Sequence, residues 1–291
     1  MATISGLNEF GRIKAVAVRT PAEAYVSEDK IGTEWQALRF YEAPVLEAAH
    51  QEHKALITIL SDAGAEVIEL GGDDALTLDS IYARDALLVS PKGLIMCNMG
   101  RASRGAEPAR NAALLKALGF KIAGEVKAPG TIEGGDLIWL DDNTLAVGEG
   151  PRTNAEGIRQ LKEILGEAIE VHVVPLPAPS HPEDVFHLMS MISPLDADLA
   201  LVYPPLMPED FARWLKQHGI ELIDVPEEEF IPMGCNVLAL GPRNVVMLDQ
   251  LPKTKARLEA AGCVVQTYRG DEISRKGEGG PTCLTRPLVR E

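Results

Sequence analysis

Leu87-Leu88-Val89-Ser90-Pro91-Lys92-Gly93-Leu94-Ile95-Met96-Cys97, followed after an amphipathic stretch by Leu118-Gly119-Phe120-Lys121-Ile122, is the passage on which the fold turns. Two apolar runs around Pro91-Lys92-Gly93 read as a hairpin. Gly119 closes the amphipathic stretch. Glycine there is a helix C-cap signal, because only glycine takes the left-handed conformation without a steric penalty. The passage is therefore one unit of strand, turn, strand, helix, strand.

The same pattern recurs. Glycines end amphipathic stretches at Gly64, Gly119, Gly166, Gly219 and Gly262, with spacings of 55, 47, 53 and 43 residues, and a β-rich run follows each. Further hairpins are expected at Leu137–Leu140 with Leu145–Gly148 around Asp141-Asp142-Asn143, and at Val237–Leu240 with Val245–Leu248 around Gly241–Asn244. A fourth is expected from Ile192 to Val202, turning at Pro194-Leu195-Asp196. Four units of about 50 residues thus run from residue 81 to 268. The fifth is split: a strand at Lys14–Arg19, a helix and strand between residues 36 and 70, and a first segment at Cys283–Leu288. A split repeat closes a ring by bringing the two ends of the chain into one blade.

Outside the repeats, composition narrows the field. The 291 residues are 46% hydrophobic and 24% charged, which excludes a disordered chain, a collagen or a disulfide-rich miniprotein. No Pro/Ser linker divides them, so one α/β domain over residues 1–291 is expected. A net charge of −15 without a Lys/Arg run argues against nucleic acid as a partner, and leaves room for a small cation. The first six residues carry no basic stretch before an apolar run, and no run approaches the roughly 18 residues of a membrane span. The cysteines at 97, 235, 263 and 283 form no C-x-x-C pair, which points to a reduced, cytoplasmic protein without a zinc ribbon.

In a ring, the starts of the repeats meet at the axis. The polar residues at those starts are Asp85, Glu133, His187, Asn236 and Cys283, spaced 48, 54, 49 and 47 residues apart. The set is a nucleophile, a base, two carboxylates and an amide. An arbitrary cysteine is usually a small buried hydrophobe. For Cys283 the Gly279-Gly280 loop and the repeat phase reverse that preference, and a thiolate there would be the attacking group. Cys97, Cys235 and Cys263 keep the buried reading. A lone histidine in an apolar setting is more often structural, and that reading stands for His50, His53, His172, His181 and His218. His187 is in phase with Cys283, so proton transfer is assigned to it.

Nearby polar residues can be read two ways. Glu133 in Glu133-Gly134-Gly135-Asp136 could orient the histidine or hold a cation; most such strings are hydrated turns. Asp85 is either paired with Arg84 or reserved for a cationic ligand, since a buried lone carboxylate is costly. Arg152 precedes an N-cap at Thr153 or Asn154 and could clamp a substrate carboxylate as a bidentate fork. Arg101 and Arg104 sit in a polar loop and could serve a lid, although solvated loop positions are the usual case.

With these residues in order, from Asn8 to Leu288, the chain resembles the guanidino-group-modifying enzymes: arginine deiminases, dimethylarginine dimethylaminohydrolases and amidinotransferases. Tyr82-Ala83-Arg84-Asp85 is similar to their substrate-binding Asp segment, Glu133-Gly-Gly-Asp136 to the catalytic carboxylate motif, His187-Leu188 to the catalytic His segment, and Gly-Gly-Pro-Thr-Cys283 to the terminal nucleophile motif. Arg152-Thr-Asn-Ala-Glu-Gly157 and Ala102-Ser103-Arg104 look most like the dimethylarginine enzymes, in which that Arg holds the amino-acid carboxylate. The resemblance implies a pseudo-five-fold α/β propeller of ββαβ units. Two residues after the histidine, free-arginine deiminases carry Asp and dimethylarginine enzymes Lys; this chain has Met189. At 291 residues it is also expected to lack the extra helical insertion usual in arginine deiminases. Both departures favour a substituted guanidine.

The implied chemistry is hydrolysis of an arginine-like guanidinium through an S-alkylthiouronium on Cys283. His187 transfers protons, Glu133 partners it, and Asp85, Arg152, Arg104, Asn236 and Met189 form the substrate site. No metal or organic cofactor is implied, and a homodimer is left open. The rivals are an arginine deiminase, an amidinotransferase and a non-catalytic binder of a cationic amino acid.

Overall fold

The computed structural model describes residues 4–178 and 186–291, and its strands form five three-stranded sheets. The N-terminal β1 (Ile13–Val18) lies parallel to β2 (Glu66–Glu69). The hairpin β3 (Leu87–Ser90) and β4 (Gly93–Met96) adds a parallel β5 (Ile122–Glu125). In the same way β6 (Leu137–Trp139) and β7 (Thr144–Glu149) add β8 (Glu170–Pro175), and β9 (Ile192–Asp196) and β10 (Leu199–Val202) add β11 (Glu221–Asp224). Finally β12 (Leu238–Gly241) and β13 (Asn244–Leu248) add β14 (Val264–Tyr268). The last strand, β15 (Thr285–Arg290), then pairs antiparallel with β1, so both ends of the chain share one sheet. Five sheets of one design fit a pseudo-five-fold arrangement.

The design follows from the sequence. A parallel second pair needs a crossover, and a helix supplies it each time: Leu46–Asp62, Glu107–Ala117, Ala155–Leu165, Glu209–Gln217 and Pro252–Ala260. The five expected glycines follow these helices at φ between +79° and +94°. First and middle strands are apolar runs because both their faces are covered, whereas the third strands Glu66–Glu69 and Glu221–Asp224 expose both ends. The helix Ala155–Leu165 shows the local logic. Asn154 Oδ1 caps it by accepting from Gly157 N at 2.8 Å, and Ile158, Leu161 and Leu165 recur on the buried face.

One expected turn moves. Pro194 and Leu195 lie inside β9 rather than at the bend. β9 is an outer strand of its sheet, where a residue without an N–H is tolerated. The expected histidine at 181 lies outside the described residues. Among the described residues, no helix is long and apolar enough to cross a membrane.

Two glycines test this reading of the backbone. A Cβ on Gly219 meets nothing within 4 Å, so Gly219→Ala should lose only about 1 kcal/mol, from the left-handed φ. Alanine in a helix normally gains about that much over glycine. At Gly157, however, a Cβ would stand 2.1 Å from the Thr131 carbonyl oxygen, so Gly157→Ala should be the more destabilised in urea denaturation. Equal midpoints for the two variants would contradict the packing described.

Candidate active site

Each polar residue expected at a repeat start stands just before an edge strand of its sheet or the short turn leading into one. Asp85 precedes β3, Asn236 precedes β12 and Cys283 precedes β15. Glu133 leads into the tight turn Gly134–Asp136 ahead of β6, and His187 into the turn Leu188–Ser190 ahead of β9. Their side chains converge. Oxygens of Asp85 and Glu133 and a ring nitrogen of His187 lie within 4.8 Å of one another. Asn236 Nδ2 donates to Cys283 Sγ at 3.1 Å, while its Oδ1 accepts from Thr282 N. His187, Met189, Asn236 and Cys283 wall one cavity of about 560 Å³, with Gly135 and Arg84 also on its wall.

The carboxylates stand behind that wall and are heavily engaged. Glu133 is fully buried; its Oε2 meets His187 Nε2 at 2.8 Å and Arg152 Nη1 at 3.0 Å, and its Oε1 accepts from Arg101 N. Asp85 accepts from Gly135 N at 2.9 Å and from Arg104 Nη1 at 2.5 Å. Three acid and imidazole groups so close have the chemistry of a cation site, but here both carboxylates are already neutralised by guanidinium and backbone donors. A planar cation in the cavity would sit in their field rather than fill an empty chelate.

Several expectations change here. Asp85 pairs with Arg104; Arg84 instead reaches Glu9 at 3.0 Å. Arg104 is buried, not a lid residue, because it forks onto both oxygens of Glu107 at 2.7 and 2.8 Å and caps the Tyr82 carbonyl. Arg152 does not line this cavity: one nitrogen is held by Glu133, and the side chain faces a neighbouring cavity of about 620 Å³. Arg101, by contrast, lines both cavities, with its guanidinium on Asp79 at 2.8 Å and on the Leu38 carbonyl. Asn154 is the helix cap, which frees Thr153 to bridge Asp136 and the Glu133 backbone.

Sequence reading missed Asp136 and Asp79, both buried. The signal for Asp136 was its place one turn after Glu133. The other thiols and histidines keep structural places. Cys97, Cys235 and Cys263 are buried, and Cys235, though on the cavity wall, turns its sulfur to the Leu201 carbonyl. His53 is buried and lowered to about 4 by burial and His50, while His172 and His218 stack on Trp214.

Burial disfavours a charged imidazole at His187, but Asp136, Asp85 and the bond to Glu133 outweigh it and raise the ring to about 9. Burial likewise works against charge on Glu133, yet His187 and Arg152 hold it well below the usual carboxylate range. Burial pushes the Cys283 thiol up to about 11; Asp85 adds to this and the Asn236 amide opposes it. The unliganded site at neutral pH therefore pairs a thiol with an imidazolium, and a bound cation would favour the thiolate.

Comparison with known proteins places this geometry. The family model described as N,N dimethylarginine dimethylhydrolase, eukaryotic, matches residues 27–290. An N(G),N(G)-dimethylarginine dimethylaminohydrolase of Streptomyces coelicolor is 31% identical over 239 residues, spanning 81% of this chain and 84% of that protein. A solved dimethylarginine dimethylaminohydrolase, in an adduct with 4-chloro-2-hydroxymethylpyridine, is 26% identical with a TM-score of 0.74, covering 96% of this chain and 100% of the other. An amidinotransferase from Microseira wollei shares the fold at 18% identity, with a TM-score of 0.81 over 99% of this chain and 97% of its own.

The charge state can be read directly. Thiolate absorbance of wild type minus that of Cys283→Ser, followed against pH without ligand, should show a midpoint well above the ordinary thiol value, near 11. A midpoint below neutrality would contradict the desolvated site. Stability carries a second sign. His187 is raised from 6.5 to about 9, so its charged form supports the fold fully below about 6.5 and ceases to as pH rises through 9. Melting temperature should fall more steeply across that window in wild type than in His187→Gln; parallel curves would contradict it.

Proposed function

The chain belongs to the N,N dimethylarginine dimethylhydrolase family, and on that premise we propose that it hydrolyses an arginine-like guanidinium, N-methylated (dimethyl)arginine first, to the ureido compound, citrulline in the case of a methylated arginine, and an amine. The observation that carries this reading is the shared cavity: one partly exposed thiol, one buried imidazole and an apolar Met189 on the same wall. Here the five sheets are read as blades of one ring whose axis is this cavity.

The cation docks against Cys283, drawn by Asp85 and Glu133 behind Gly135. Its charge lowers the thiol's proton affinity, the thiol's proton passes to solvent because His187 already carries its own, and the thiolate attacks the central guanidinium carbon. The C–S bond forms, and the C–N bond to the substituted nitrogen breaks as the His187 imidazolium gives that nitrogen its proton. Neutral His187 then takes one proton from water, whose oxygen attacks the thiouronium carbon; the C–S bond breaks, the remaining hydroxyl proton goes to the freed amine, and the thiolate returns. The sum is guanidinium plus water to ureido product plus protonated amine. Glu133 keeps the ring oriented and stabilises its cationic form, as its 2.8 Å contact supports. Asn236 supports the thiol from the side, through the 3.1 Å contact.

Met189 bears on the choice of substrate. It is 4% exposed and offers an unsubstituted nitrogen only the weak acceptor of its thioether sulfur. An N-methyl group loses nothing against it. An unsubstituted nitrogen placed there would forfeit a hydrogen bond, about 1–3 kcal/mol when buried. A ureido-product assay across arginine, methylated arginines, agmatine and guanidino acids should rank the methylated arginines first. Faster turnover of arginine, or product formed only with an added amine acceptor, would overturn the reading. Met189→Asp should shift the preference towards arginine by roughly tenfold or more, the equivalent of one buried charge-assisted hydrogen bond; an unmoved ratio would remove Met189 from the site.

A further inference from the structure

The contact between His187 and Glu133 joins residues from two separate repeats, and something must hold those repeats in register. Asp136 touches both. Its Oδ1 accepts from Leu188 N, the residue after His187, at 2.9 Å across 52 positions of sequence. Its Oδ2 accepts from Thr153 Oγ1 at 2.6 Å, and the same Oγ1 accepts from Glu133 N at 3.1 Å. Asp136 is wholly buried and, among the described residues, faces no guanidinium in a direct pair, unlike Asp79, Asp85, Glu107 and Glu133. A buried carboxylate with neutral donors alone is costly unless a cation stands near.

We propose that Asp136 is a positioning residue, which clamps the turn bearing His187 to the turn bearing Glu133 and supplies the negative charge that keeps the imidazole in its proton-donating form. The charged groups around that ring are Asp136, Asp85 and Glu133 on the acidic side, Arg152 and Arg104 beyond the carboxylates, and the Cys283 thiol and Arg84 across the cavity. Glu133 is shared with Arg152 and Asp85 with Arg104, so both fields are partly cancelled. The charge on Asp136 has no such partner. Its carboxyl is raised to about 6 by burial, so it is ionised in the neutral range where His187 must hold a proton. Gly148 leaves room for the arrangement, since a Cβ there would sit 3.0 Å from Asp136 Oδ1 and 3.0 Å from Leu188 Cβ.

The clamp explains a feature that Glu133 alone does not. One 2.8 Å contact fixes a distance but not the direction of the ring. Tying the backbone on the far side of His187 to the Glu133 turn fixes the swing of the whole segment. The cavity-facing side of the ring then stays turned to the site of the departing amine. This inference rests on the reading of His187 as proton donor, but its primary test does not require turnover.

The experiment is a pH titration of the His187 imidazole by NMR on protein labelled at histidine, with His187→Gln to assign the signal, in wild type and Asp136→Asn. Asparagine keeps the shape and the acceptor towards Leu188 while removing the charge. The His187 midpoint should fall by about one pH unit or more, a tenfold weaker hold on the proton. In turnover the alkaline limb of kcat should move down by a like amount, with KM within about twofold. A His187 midpoint that stays where it is in a folded Asp136→Asn protein overturns the proposal, whatever happens to kcat. If wild type turns over no guanidine, the hydrolase reading fails while the titration still decides the role of Asp136. Should Asp136→Asn not fold, Thr153→Ala should lower the same midpoint and Thr153→Ser restore it; a wild-type midpoint in Thr153→Ala overturns the clamp.

Discussion

The structure depends on a buried imidazole held against a buried carboxylate: His187 Nε2 to Glu133 Oε2 at 2.8 Å, with both residues at most 5% exposed. Neither group would be charged alone at that depth. Together they stabilise each other's ionised forms, and the pair lies at the boundary between two sheets that also share an apolar core of Ile138, Ala146, Ile192 and Val202. The cavity, the neighbouring thiol and the acidic ring behind Gly135 all take their places from it. Burial keeps Cys283 protonated without a ligand, and on the proposed reading an arriving cation favours its thiolate.

Around this pair the interior carries an unusual amount of paired charge. Glu133 meets Arg152, Asp85 and Glu107 meet Arg104, Asp79 meets Arg101, and Glu9 meets Arg84. Apart from His53 and His187, every buried basic side chain among the described residues is an arginine, and none is a lysine. The preference has a physical basis. A guanidinium is weakly hydrated and planar, and its fixed fork can serve two acceptors at once, as Arg104 does with Glu107 and Asp85. Such pairs add little net stability by themselves, but removing one partner leaves a charge stranded. Most of them lie within one repeat, and the pair of Arg84 with Glu9 ties a repeat to the N-terminal segment.

Local patterns were legible in the sequence. The five glycines with positive φ, three of the four hairpin turns and the split fifth sheet are short-range features that follow from steric rules, and they appear where the chain's own pattern puts them. The phase of Asp85, Glu133, His187, Asn236 and Cys283 was legible for the same reason, because equal spacing in a repeat becomes proximity in space. The targets of the arginines were not. Arg104 and Arg152 each carry a fork that fits a substrate carboxylate and a protein carboxylate equally well, and nothing local says which is nearer. Arg104 and Glu107 do stand three apart, a helical spacing, but only the fold shows that Asp85 completes the fork. Asp136 was hidden for a related reason: its partner Leu188 N belongs to another repeat, and backbone donors leave no mark in a sequence. Pro194 looked like a turn residue because its position at a sheet edge is a property of the assembled sheet.

The central claim is that the sulfur of Cys283, and no other atom of the chain, takes the substrate carbon. Mass spectrometry of wild-type protein quenched in acid during turnover of a methylated arginine tests it most directly. The account predicts an added amidino-substrate mass confined to the peptide that carries Cys283, forming and decaying at the pace of product release. An adduct on the peptide of Cys235, the other sulfur on the cavity wall, or product formation with no adduct on any cysteine under conditions that trap thiouroniums, would contradict it.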